Sequence, residues 1–233
     1  MARSAIGAAR ADKQVMVCYY VSGEIMTFSK CQRCGTCCEK GGPALHEADL
    51  GLLEHIPLSD VVCLRRGEMA FDPRTQSLQP LPLELMKIRG KDRGWECIYF
   101  LSQVKTCSIY GHRPLECRSL FCADTAQVLE AMAAPTLSRE DIISQQSGLW
   151  GCITDHENNF PVEQALRLVK VETDLAGSIC PELDDLIRRE IHFRQVLGDR
   201  VQAVDVDLWA YLGRPLWLVL LPLNPIFSRY EYA

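Results

Sequence analysis

Apolar and polar positions change rhythm along the chain, and the changes predict its elements. Residues 15–28 mix β-branched and aromatic side chains around Ser22-Gly23, which predicts a short hairpin. Residues 45–56 space their apolar side chains helically and stop before Pro57, which predicts an amphipathic helix. Residues 65–94 are crowded with proline, glycine and charge, and predict an excursion holding at most one short strand pair. Residues 95–101 and 107–110 are expected to pair as a small hairpin carrying Cys97 and Cys107. Pro114 suits the first turn of a helix to about residue 121, with Cys117 and Cys122 near its two ends.

Beyond Cys122 the rhythm turns helical. Helices are expected over residues 124–133, 161–176 and 181–197, the last capped by Gly198. Ser138 and Asp141 have capping-box spacing and predict a helix opening there and running to about Gly151. The most apolar run, residues 216–221, is stopped by Pro222. It reads as a buried strand or short core segment and is far too short to span a bilayer. The expected fold class is α+β and predominantly α-helical. A cysteine-rich, metal-binding half with short β-hairpins (residues 1–123) would carry a helical half (residues 124–233) packed on it as one compact unit.

Composition sharpens this picture at one point. The chain has 233 residues, enough to bury a core without covalent staples, yet it contains 12 cysteines. A net charge of −5 gives no electrostatic reason to bind nucleic acid. The first thirteen residues lack the apolar run of a secretory signal. A cytoplasmic protein without a membrane span is expected, and in that reducing compartment clustered thiols point to metal.

Eight cysteines fall into two groups: Cys31, Cys34, Cys37 and Cys38, then Cys97, Cys107, Cys117 and Cys122. Cys18, Cys63, Cys152 and Cys180 stand alone in apolar surroundings and read as small buried hydrophobes. In the first group a Cys-x-x-Cys loop turns two sulfurs toward one point, and Gly35 can adopt the positive φ such a turn requires. Cys31, Cys34 and Cys37 repeat that spacing twice, as three ligands of a bacterial ferredoxin [4Fe–4S] cluster do. Zinc sites more often pair one Cys-x-x-Cys with a second, distant one, and the second group has none. Neighbouring Cys37 and Cys38 do not readily face one centre, so one of them serves a different site or is not a ligand. Eight thiolates suit two four-ligand sites, or one cluster and a redox-active pair.

The string Cys31-x-x-Cys34-Gly35-x-Cys37-Cys38, followed by Gly42-Pro43, resembles the CxxCxxCC cysteine-cluster family. This is the YkgJ-like group, described as a zinc- or iron-chelating domain. The second half of the pattern is also present: Cys97 in a hydrophobic stretch, Cys107-Ser-Ile-Tyr110, Arg113-Pro114, Cys117-Arg118 and Cys122. The resemblance implies metal chelation by these eight cysteines. Flagellin lysine N-methylases are among the relatives it brings in, but the last 110 or so residues carry no motif supporting that activity.

Other residues are candidates by position. Arg113 and Arg118 flank Cys117, where they would stabilise an anionic cluster, hold an anionic ligand, or simply pair with Glu116 or Asp124. Tyr110 would donate a hydrogen bond to a cluster sulfur or pack in the core. His112 lies nearest the cysteines among five histidines; His46 and His156 have weaker claims. The basic run 87–93 is a solvated loop or a docking patch for an acidic redox partner. Nucleotide-binding glycine motifs, a nucleophile elbow and the radical S-adenosylmethionine spacing are absent. The leading expectation is a protein holding one or two iron–sulfur centres, with a protein redox partner. The alternatives are a non-catalytic zinc module and a thiol redox sensor built on Cys37 and Cys38.

Overall fold

A computed structural model describes residues 20–21, 24–25, 33–122, 124–172 and 179–231. The fold is α+β and mostly helical, as the sequence predicts. Its strands form four two-stranded antiparallel sheets among the described residues. β1 (Tyr20–Val21) pairs with β2 (Glu24–Ile25), which is the core of the hairpin expected over residues 15–28; the rest of that segment lies outside the described residues.

β3 (Val61–Leu64) pairs with β6 (Leu85–Ile88) through four registered positions, and it organises the molecule. All four β3 residues are buried. Side chains alternate across a strand, so its two faces serve two cores. Val61 and Cys63 pack with Leu45, Met86, Ile88 and Phe100, beneath the cysteine loops. Val62 and Leu64 pack with Leu183, Ile187, Leu216 and Leu220 of the C-terminal helices. A strand buried on both faces has no polar alternation to reveal it. Neither β3 nor β6 is foreseen from the sequence. The one strand pair expected in residues 65–94 is β4 (Met69–Asp72) with β5 (Ser77–Pro80).

Further differences have local causes. Residues 45–56 form a 3-10 helix over Glu47–Glu54 rather than an α-helix from Leu45. Leu45 is taken by ladder-like bonds to Met86 and Leu137, and Asp49 Oδ2 caps the start by accepting from the His46 amide at 3.1 Å. The Ser138–Asp141 capping box exists, but it closes only a 3-10 turn, Arg139–Asp141. The next helix, α4 (Gly148–Asn159), opens at Ser147, whose hydroxyl accepts from the Trp150 amide, and Gly151 lies inside it.

The remaining elements follow in order. β7 (Phe100–Leu101) and β8 (Thr106–Cys107) make the small hairpin expected there. The short helices are α1 (Thr36–Glu39), α2 (Leu115–Ser119) and α3 (Ala126–Ala131). α5 (Val162–Glu172) and α6 (Pro181–Val201) follow α4, with α7 (Trp209–Leu212) and α8 (Leu216–Leu220) near the end. Gly198 does not end α6. It lies within the helix because a Cβ there would meet the Ala203 carbonyl at 2.8 Å, and Gln202 makes the left-handed cap instead. The apolar run at residues 216–220 is the wholly buried helix α8.

Buried charge joins the two cores. Arg65, fully buried after β3, donates to both carboxylate oxygens of Glu157 on α4 at 2.9 and 3.1 Å. Glu157 also accepts from Arg139 at 2.9 Å, and Arg139 holds Glu84, just ahead of β6, with a second fork. Two guanidiniums and two carboxylates thus alternate across the junction, each charge lying beside its opposite.

Candidate metal centre

The cysteine loop begins with Gly35, whose φ of +87° is a left-handed conformation. A Cβ there would lie 2.2 Å from Phe100 Cζ. Glycine therefore both makes the turn and lets the loop lie against the buried Phe100 ring. α1 follows as a single turn closed by the Glu39 amide on the Gly35 carbonyl at 2.9 Å. It presents Cys37 and Cys38 with their sulfurs 3.9 Å apart.

The second cysteine group is tied to the first through backbone. The Cys97 amide donates to the Cys38 carbonyl at 2.8 Å. β7 and β8 then set Cys107 opposite Phe100. Cys117 rides on α2, and α2 is pinned from the preceding segment. Asp49 Oδ1 accepts from the Leu115 amide at 2.8 Å, Glu116 Oε2 accepts from the Ala44 amide at 3.0 Å, and His46 Nε2 contacts Glu116 Oε1 at 3.2 Å. Arg113 adds a bond to the Cys117 carbonyl at 3.4 Å.

These ties build one chamber of about 530 Å³ lined by Cys34, Cys37, Cys38, Cys97, Cys107, Cys117 and Cys122. Cys31 lies outside the described residues. Cys122 sits in a turn beyond α2 rather than at the helix end the sequence suggests. Cys63, Cys152 and Cys180 are not among the lining residues, and Cys18 is outside the described residues. The spacing argument therefore gathers seven cysteines and leaves out three. Among the described residues, however, no group of three histidine, cysteine or acidic side chains is already closed around one point.

The electrostatics explain how such a set accepts a metal. Burial pushes up the thiols of Cys97, Cys107 and Cys117, and neighbouring thiolates add to the effect. Burial and Cys37 raise Cys38 to about 12. Cys34, near the mouth, shifts the other way because Thr36 hydrogen-bonds its sulfur. Several buried thiolates cannot ionise together without positive charge among them. A thiophilic cation supplies that charge and displaces the protons, so the donor set fits a metal or metal cluster.

The other candidates divide. Tyr110 and Arg113 line the chamber, and Tyr110 is sandwiched between the guanidiniums of Arg33 and Arg113, 4.1 and 3.8 Å from its ring centroid. Arg118 does not line it; this side chain is half-exposed and lies 3.5 Å from Asp49 Oδ1, which is neither of its anticipated partners. His112 stacks on His55 away from the chamber, and His156 is buried against Glu190. His46 acts on the site indirectly, through Glu116.

The charges of the basic run 87–93 are engaged within the fold. Lys87 donates to the Gly42 carbonyl, and burial lowers its pKa against the pull of Glu116, Cys97 and Cys117. Arg89 bonds the Ser59 carbonyl, Lys91 pairs with Glu96, and Arg93 pairs with Glu231. Each of these contacts ties a charge of the run to the rest of the fold. Sequence reasoning also misses Lys87, His46, Asp49 and Glu116 as supports of the site. The His46-x-x-Asp49 spacing, which resembles a capping box, is the one local signal that marks any of them.

No helix among the described residues is long and apolar enough to cross a membrane. Neither a curated protein nor a solved structure matches the chain. Residues 30–135, which contain all eight clustered cysteines, match the family model CxxCxxCC, described as a putative zinc- or iron-chelating domain.

Proposed function

We propose that the chain is an iron–sulfur protein whose clustered cysteines hold one or two centres and pass electrons to or from a protein partner. The observation that carries this reading is the count of thiols on one chamber. A closed zinc site uses four ligands, whereas seven cysteines line this cavity. The doubled Cys-x-x-Cys spacing of Cys31, Cys34 and Cys37 supports it further.

The ligand candidates are Cys31, Cys34, Cys37, Cys38, Cys97, Cys107, Cys117 and Cys122. A cluster held by them would supply one-electron redox chemistry. The surrounding residues have separable tasks in this reading. Phe100, Ile109 and Leu120 give the chamber an apolar wall. Arg113 steadies the Cys117 carbonyl and the Tyr110 ring together. Lys87 places a buried positive charge beside Cys97 and Cys117, which favours their thiolate forms. Arg118 is left with a packing role on Asp49.

The test is metal and sulfide analysis with a visible spectrum on protein purified without oxygen. Iron with acid-labile sulfide and a broad visible absorption is the expected result. Stoichiometric zinc in colourless protein would overturn the redox reading in favour of a structural or storage module. Metal-free protein with reversibly oxidised thiols would point to a Cys37–Cys38 sensor instead.

A further inference from the structure

His55 and His112 come from segments far apart in the chain, yet their rings touch, with centroids 4.1 Å apart and planes inclined at 43°. His55 follows the 3-10 helix Glu47–Glu54, and His112 ends the 3-10 turn Tyr110–His112. Both side chains are exposed, and neither lines the cysteine chamber. Their backbone amides are spent on the Leu52 and Ile109 carbonyls. The ring nitrogens are not spent: among the described residues none of the four has a hydrogen-bond or ion-pair partner.

The two described buried histidines are engaged within the fold. His46 places both nitrogens against acceptors, on Ala134 and Glu116, and His156 holds Glu190. Those rings are structural. The His55–His112 pair has four uncommitted nitrogens, and fold contacts rather than a shared hydrogen bond bring the rings together. Two neutral imidazoles side by side are a two-nitrogen donor set for a d-block dication. Exposed rings turn readily about their terminal torsion, so one nitrogen of each can reach the 2.0–2.1 Å needed for a metal bond. The remaining coordination positions would be filled by water, which makes such a site open and quickly exchanging.

We propose that His55 and His112 form a second, solvent-facing binding site for a divalent d-block cation, separate from the cysteine chamber. Its ligand chemistry is imidazole nitrogen, in contrast to the thiolate of the main centre. It selects borderline cations such as Ni²⁺ or Zn²⁺ over Mg²⁺ or Ca²⁺, which require oxygen ligands. The site does not depend on the identity of the metal held by the cysteines.

The experiment is calorimetric titration of Ni²⁺ into untagged, full-length protein carrying whatever its cysteines hold on purification. His55→Ala, His112→Ala and the double variant are titrated in parallel. Wild type is expected to take one equivalent of Ni²⁺ beyond the double variant, and each single variant to bind it at least tenfold more weakly. Mg²⁺ at the same concentration should not compete. Both side chains are exposed, so the variants should keep the wild-type circular dichroism and their cysteine-bound metal. Equal Ni²⁺ uptake by wild type and the double variant overturns the proposal. So does a loss confined to one single variant, since that would mean a lone histidine. Neither result bears on the iron–sulfur reading, which metal analysis of the same preparations tests separately.

Discussion

Substituting Gly35 by alanine tests how the cysteine loop is held. Two costs act at once. The residue sits at φ +87°, where a Cβ costs about 1–2 kcal/mol. The new methyl would also lie 2.2 Å from Phe100 Cζ and 2.5 Å from its Cε2, and the ring is only 1% exposed. Phe100 packs with Leu45, Met86 and Cys97, and overpacking of this kind costs about 1–3 kcal/mol. Gly35→Ala should therefore destabilise the protein by about 2–5 kcal/mol. Urea unfolding of wild type, Gly35→Ala and Gly111→Ala measures it, with bound metal counted in each. Gly111 lies in the turn beside Tyr110, but a Cβ there meets nothing within 4 Å, so its variant should shift stability by less than about 0.5 kcal/mol. Shortening the ring with Phe100→Leu should cost less in the Gly35→Ala background than in wild type, because it relieves the same clash. A Gly35→Ala protein with wild-type midpoint and full metal content would refute the reasoning.

Three further outcomes are expected. Cys107→Ser and Cys117→Ser should each lower bound metal per chain, while Cys152→Ser, remote from the chamber, should leave it unchanged; elemental analysis decides. Glu157→Gln should cost about 3–5 kcal/mol in chemical denaturation, because it removes the carboxylate charge shared by buried Arg65 and Arg139. Stability should also fall in acid. Burial holds His156 at about 4 against an ordinary 6.5, so about 3 kcal/mol is present in full above pH 6.5 and lost as pH falls through about 4. Burial alone would raise Glu190, but Arg194 and His156 outweigh it and hold the carboxyl at about 2, which continues the loss below pH 4.5. Urea midpoints at pH 7, 5.5 and 4.5 test the sign, and a midpoint independent of pH would exclude it.

The site was more legible in the sequence than the fold beneath it. Cysteine spacing needs no long-range information, and the seven described cysteines it groups line one chamber while Cys63, Cys152 and Cys180 do not. The β7–β8 hairpin and the Ser138–Asp141 box were readable because their signals are local. β3 was not, because a strand packed on both faces is a plain apolar run, and its partner β6 is drawn to it by tertiary packing. Gly198 was misread because its reason is the Ala203 carbonyl across the helix end rather than its own φ. The run 87–93 reads as a solvated loop or a docking patch because sequence displays charges but not their partners, which lie at Gly42, Ser59, Glu96 and Glu231.

That last case bears on how the centre is kept in shape. The walls of the chamber come from single turns and two-residue strands, elements too short to be stable alone. Their order must be imported. Backbone supplies part of it, through the Cys97 amide on Cys38 and the Leu115 amide on Asp49. The rest comes through β3, whose Val61 and Cys63 pack in one core with the chamber residues Ile88, Cys97 and Phe100 while Val62 and Leu64 are gripped by the C-terminal helices. The Glu84–Arg139–Glu157–Arg65 chain fixes β6 and β3 to α4 from the side. In this arrangement the helical half supports the matched region from behind, although only its first residues, Thr125, Val128, Leu129 and Met132, line the chamber. Changes at Glu157 should therefore reach the metal site as well as global stability, with bound metal falling alongside the unfolding midpoint.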